Sequence, residues 1–188
     1  MSSTTTTTMM TIEDRIVEVE AILGAHKGEI GRDYVGYRNH VYRMINFCLA
    51  LRDCSAEERT KVLIAGCFHD LGIWTSSTFD YLPPSQALAR AYLQQHGLSR
   101  WIAEIELMIA MHHKLSRYRD PHYPLVEVFR QGDLVDFSLG IVRCRLPSAY
   151  IRAVKRHFPN GGFHLRLVQL EGKWISRHPA NPLPIVKL

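Results

Sequence analysis

Apolar residues recur every three or four positions along most of this chain, the interval that lines one face of an α-helix. Ile12, Ile16, Val19 and Leu23 form the first such stripe. A helix is therefore predicted from Thr11, with Glu13 and Asp14 in its first turn favouring the positive end of the helix dipole, and with its end between Gly24 and Gly28. A second is predicted from about Arg32 to Leu51 through Tyr37, Met44, Phe47 and Leu51, and His40 lies on that same inward stripe. The capping box Ser55-Ala56-Glu57-Glu58 opens a third helix. Its second half belongs to an apolar run from Val62 to Trp74, so it is buried on most sides, and it ends at His69-Asp70 with Gly72 as the stop.

The segment Thr75 to Pro84 is polar and turn-prone, long enough to form a loop over a site. Ser85 to His96 reads as a fourth helix closed by Gly97, and Ser99 caps a fifth. On the fifth, Trp101, Ile105, Met108, His112 and Leu115 share the core face, which leaves His113 turned about 100° away. A sixth helix, about Leu125 to Leu139, carries Phe129, Asp133 and Asp136 on one face, so two carboxylates occupy positions where apolar residues belong. Pro147-Ser148 starts a seventh, which ends at Phe158 to Gly162. Phe163 to Trp174 reads as helix with a hairpin as the alternative, and Pro179 to Pro184 as extended chain.

The 188 residues, 46% of them hydrophobic, suit a single domain with one core over residues 11–188. The Ser/Thr tract of residues 1–10 lacks the basic and apolar parts of a targeting segment and is expected to be a disordered tail. No run approaches the roughly 20 apolar residues that cross a bilayer, so no membrane partner is expected. Cys48, Cys54, Cys67 and Cys144 show no CxxC spacing, which favours a reduced, cytoplasmic setting. The net charge of +5 is uneven: residues 140–188 hold nine Lys/Arg against Glu171 alone, while the rest carries 14 Lys/Arg against 17 acids. Such a basic C-terminal extension suits either an anionic partner or a solvated face.

His40, His69, Asp70 and an aspartate of the sixth helix come from three helices and all lie inward or at an apolar helix end. Imidazoles and carboxylates together suit one divalent ion, Mn, Fe, Co, Ni or Zn, and a four-ligand set leaves room for water. An acid at the negative end of a helix dipole is unfavourable unless a cation meets it, which supports metal at Asp70. Spacing alone leaves Asp133 and Asp136 as alternatives.

An isolated His40 in Arg38-Asn39-His40-Val41-Tyr42-Arg43, then His69-Asp70-Leu71-Gly72, then Asp133 in Gly132-Asp133-Leu134-Val135-Asp136, resembles the HD-domain superfamily of metal-dependent phosphohydrolases over about residues 12–160. The resemblance implies an all-α HD-domain helical bundle with His40, His69, Asp70 and Asp133 as metal ligands and Asp136 behind them. It also implies hydrolysis of a phosphoester, with Asp70 and His112 as catalytic groups. Two-metal members add two histidines. His112 matches one of them, but Ser85 stands at the other, which favours a single metal. His112 then binds substrate or transfers a proton, with His113, Lys114 and Arg117 near enough to hold an anion. Arg43, one turn from His40, either reaches the pocket or stays at the surface.

The leading expectation is a hydrolase using a metal-activated water on a small phosphorylated substrate, a nucleotide being the first candidate. An HD-fold iron-dependent oxygenase or lyase is the first alternative, and it calls for more ligands than the sequence reveals. A non-catalytic binding or regulatory module is the second. It would bring the basic C-terminal third to nucleic acid, but no aromatic-interleaved basic motif supports that partner.

Overall fold

A computed structural model of the chain describes residues 10–181 and 184–187. Among the described residues the regular elements are all helices, with one isolated bridge between Lys114 and Lys187 in place of any sheet. The all-α expectation therefore holds. Residues 1–9 of the expected tail lie outside the described residues, as do positions 182 and 183 of the expected extended stretch.

Helices α1 (Val17–Ala25) and α2 (Lys27–Ile30) lead into the long α3 (Tyr34–Leu51). The first helix starts six residues later than its stripe predicts. Residues 11–16 are not helical, because side chains of α3 meet their backbone: Glu13 N donates to Asn46 Oδ1 (2.8 Å) and Ile16 N to Tyr42 Oη (2.9 Å). Those tertiary bonds replace helical ones, while Ile16, Val19 and Leu23 still reach the core.

The capping box at the start of α4 (Ala56–Phe68) forms as predicted, with Glu58 N on Ser55 Oγ and Ser55 N on the Glu58 carboxylate. Gly72 does not stop this helix. It begins the short α5 (Gly72–Thr75), and its lack of a side chain serves close approach instead. A Cβ there would lie 2.5 Å from Tyr81 O and 2.9 Å from Ser85 Oγ. α6 (Leu82–Gln95) takes in Pro83 and Pro84 in its first turn, where a missing N–H leaves no bond unmade. A 3-10 turn, Ser99–Trp101, precedes α7 (Ile102–Met111).

α7 ends one turn before the predicted stripe does, so Leu115 is 70% exposed instead of facing the core. α8 (Pro124–Phe137), α9 (Ser148–His157) and α10 (Phe163–Arg177) follow, and the helical reading of the last prevails over the hairpin. Residues 179–181 form turns, not an extended run, with Asn181 N on His178 O.

α3 is the axis of the bundle and is buried from Tyr37 to Cys48, apart from half-buried Arg38. Its main neighbour is α8. The two backbones approach at Gly132, where a Cβ would overlap Cys48 Sγ and lie 3.1 Å from Met44 O. That contact brings the polar residues of α3 and α8 face to face. All four cysteines are free. Among the described residues no helix is long and apolar enough to cross a membrane.

Candidate metal centre

His40 stands on α3, His69 and Asp70 in the turn just past α4, Asp133 and Asp136 on α8, and His112 just past α7. All six are buried. Each histidine has its Nδ1 engaged from behind. His69 Nδ1 donates to Gly66 O (2.8 Å) and His112 Nδ1 to Ile109 O (2.7 Å). A carbonyl only accepts, so both rings carry their proton on Nδ1 and present a bare Nε2 lone pair. His40 Nδ1 meets Asp136 Oδ2 at 2.7 Å, which sets the same tautomer.

The bare nitrogens converge. His40 Nε2 and His69 Nε2 lie 2.9 Å apart with no proton to share. His40 Nε2 is 3.7 Å from Asp70 Oδ2 and 3.6 Å from Asp133 Oδ1, and His69 Nε2 is 3.3 and 3.9 Å from the same two oxygens. His112 Nε2 and Asp70 Oδ1, 3.4 Å apart, are both buried without a hydrogen-bond partner. Facing lone pairs and carboxylate oxygens repel one another unless a cation stands among them. The donor set thus fits a divalent ion, and three overlapping groups have ligand atoms within 4.8 Å of one another: His40, His69 and Asp133; His69, Asp70 and His112; and His112, His113 and Asp133.

Electrostatics agree with that fit. Burial pushes the Asp133 carboxyl up to about 7, with the neighbouring charges of Asp70 and Asp136 adding to it. Burial also lowers His40 to about 4, so its imidazole is neutral and ready to ligate at neutral pH. At Asp136 burial is outweighed by hydrogen bonds from His40 and Arg43, and the group stays ionised.

Asp136 lies behind the cluster, where it orients His40. Arg43 is committed to it, with Nε on Oδ1 (2.5 Å) and Nη2 on Oδ2 (2.8 Å), while Nη1 donates to Phe158 O and Pro159 O. Arg43 is 1% exposed, so neither the expected pocket contact nor a surface position describes it. Arg117 is also displaced from the expected anion-holding group: it is exposed and lines a surface depression with Arg52, Asp120 and Arg145. His113 corrects the ideal-helix angle, because α7 stops at Met111 and the chain turns. Its Nδ1 comes to 3.9 Å from Asp133 Oδ2, and its Nε2 to 2.7 Å from Tyr81 Oη. Ser85 is buried, with its Oγ accepting from Gly72 N at 2.9 Å.

Three aromatic residues pack at the site, and of these only Tyr37 is announced in the sequence, by the stripe it shares with His40. Phe163 stacks on His40 at 4.2 Å between centroids, Tyr37 packs beside His40 and His69, and Tyr81 reaches His113. Burial raises Tyr81 well above the ordinary phenol value and lowers His113 well below the ordinary imidazole value, with the neighbouring His112 adding to the latter. Tyr81 therefore keeps its proton and shares a hydrogen bond with His113 Nε2, which holds the ring with Nδ1 as the atom nearest Asp133.

A cavity of about 180 Å³ opens on His112, His113 and Asp133, with Lys114 and Arg130 on its wall. The basic C-terminal third lies mostly elsewhere: Arg166, Lys173 and Arg177 line a separate cleft of about 580 Å³ with Arg32, Trp74 and Trp174. A scan against protein-family models and searches of curated proteins and of solved structures found no match to this chain.

Proposed function

We propose that this chain is a metal-dependent phosphohydrolase of the HD type, with His40, His69, Asp70 and Asp133 holding one divalent ion. The observation that carries the reading is the convergence of bare Nε2 atoms and carboxylate oxygens, each ring fixed from behind by a carbonyl or by Asp136. A divalent ion bound there supplies an acidified water and neutralises charge on a phosphoryl oxygen.

The remaining work falls to this chain's own side chains. His112 Nε2, a bare lone pair at the cavity floor, takes the proton of the attacking water. As the new P–O bond forms and the ester P–O bond breaks, that proton passes to the leaving oxygen, giving an alcohol and inorganic phosphate. The His113 and Lys114 side chains hold phosphoryl oxygens, and Tyr81 fixes the His113 ring. The experiment is a panel of phosphoesters offered to metal-stripped and metal-reloaded protein. Hydrolysis that appears only on reloading supports the reading, and inactivity of both forms across the panel sinks it.

A second reading, an iron-dependent oxygenase or lyase of the same fold, is favoured by one observation. His112, His113 and Asp133 form a further ligand group next to the first, where the sequence, with Ser85 in place of a histidine, pointed to one ion alone. Two irons per chain after anaerobic loading would put this reading first.

A further inference from the structure

The cavity over the metal centre has a polar floor and apolar walls. His112, His113 and Asp133 form the floor, while Phe79, Leu134, Phe137, Leu167, Ile185 and Val186 supply most of the sides. Arg130 offers little to a ligand. Its Nε and Nη2 donate to Glu127 and its Nη1 to Lys114 O, so its hydrogen-bonding edge is already satisfied within the protein. Ile185 is held in the wall from both sides. It is buried in a cluster with Ile73, Phe79, Tyr81 and Leu82, and Leu115 N donates to Lys187 O two residues on.

Size and polarity both restrict the occupant. A cavity of roughly 150 Å³ takes a benzene-sized guest, and this one measures about 180 Å³. A nucleoside has about three times as many heavy atoms as benzene, so its body would extend out of the open cavity, whereas a phenyl-sized body lies within it. Outside the floor only Tyr81, Lys114, Arg130 and Glu171 line the cavity with polar side chains, so most of a nucleoside's hydroxyl and base polar groups would face the apolar walls, a costly burial. Resting on the phosphohydrolase reading of the same site, we infer that the substrate is a compact phosphomonoester with an apolar body, and that Phe79, Leu167 and Ile185 set its size. A nucleoside body is thereby left largely outside the buried subsite.

Metal-reloaded protein offered phenyl phosphate and AMP side by side tests this, together with calorimetric binding of phenylphosphonate and AMP. The expected result is kcat/KM for phenyl phosphate at least roughly tenfold above that for AMP, the discrimination that a single methylene earns in an apolar pocket. The same order is expected for binding. Ile185→Ala, which widens the wall, should narrow the gap several-fold, and Leu167→Ala provides the same test from α10 should the first variant fold poorly. Preference for AMP in rate or in binding overturns the inference while leaving the phosphohydrolase reading in place. Inactivity toward both esters counts against that reading instead, and the binding comparison then decides the cavity's selectivity alone. Equal binding of the two anions overturns the inference as well.

Discussion

Replacing Asp133 by asparagine should make the metal-free protein more stable at pH 8, although it removes a proposed metal ligand. The carboxyl sits with Asp70 and Asp136 in a buried site, and its pKa rises from 3.8 to about 7 on folding. Each unit of such a shift is worth about 1.4 kcal/mol, so ionised Asp133 costs the folded state about 4 kcal/mol at pH 8. The sign follows from proton binding: between pH 4 and 7 the folded chain holds a proton that the unfolded chain has released, so this group's contribution to stability falls as pH rises. Asp133→Asn keeps the volume, removes the charge, and supplies an N–H₂ beside the bare Nε2 of His40. Urea unfolding in the presence of a chelator should show the variant ahead by about 4 kcal/mol at pH 8, the difference shrinking by about 1.4 kcal/mol per unit below pH 7 and vanishing near pH 4. The contribution of His40, which has the opposite sign over part of this range, is common to both proteins and cancels. A saturating divalent ion should then stabilise the wild type and leave the variant unchanged. A variant less stable than wild type at pH 8 without metal, or a difference independent of pH, would show that burial beside Asp70 and Asp136 does not raise the Asp133 carboxyl as described.

Asp136→Asn should behave in the opposite way, because it leaves the Arg43 charge buried without its carboxylate. A loss of about 3–5 kcal/mol in urea unfolding and a fall of about 10–100-fold in metal affinity are expected. Metal affinity of the wild type, followed by calorimetry, should rise about tenfold per pH unit up to about pH 7 and then level off, since the ion displaces the Asp133 proton and His40 is already neutral. Gly132→Ala should lower the melting temperature and weaken metal binding together, because its Cβ would force α8 from α3 at Cys48 and Met44. A cost of about 1–3 kcal/mol is expected.

The helices and the ordered positions of His40, His69, Asp70 and Asp133 were legible because periodicity is a local property and the polar residues broke it conspicuously. The late start of α1 was not, since it depends on Asn46 and Tyr42, far along the chain, capturing the backbone of residues 13–16. Gly72 looked like a helix stop, and only the packing of Tyr81 and Ser85 explains why a side chain is excluded there. His113 was placed by an ideal helix that the chain leaves at Met111. Arg43 illustrates the deepest limit: a cation near a candidate phosphate site reads as a ligand group, whereas burial beside Asp136 makes it part of the support for His40. Phe163 and Tyr81 reach the site from distant segments with no spacing to announce them.

Metal analysis of the purified protein, set beside His69→Ala and Asp133→Ala variants loaded in the same way, tests the proposed metal centre most directly. At least one divalent ion per folded wild-type chain, lost from both variants while circular dichroism shows each still helical, is the expected result. Full metal content in both variants, or a folded wild type that takes up no divalent ion on loading, would contradict it.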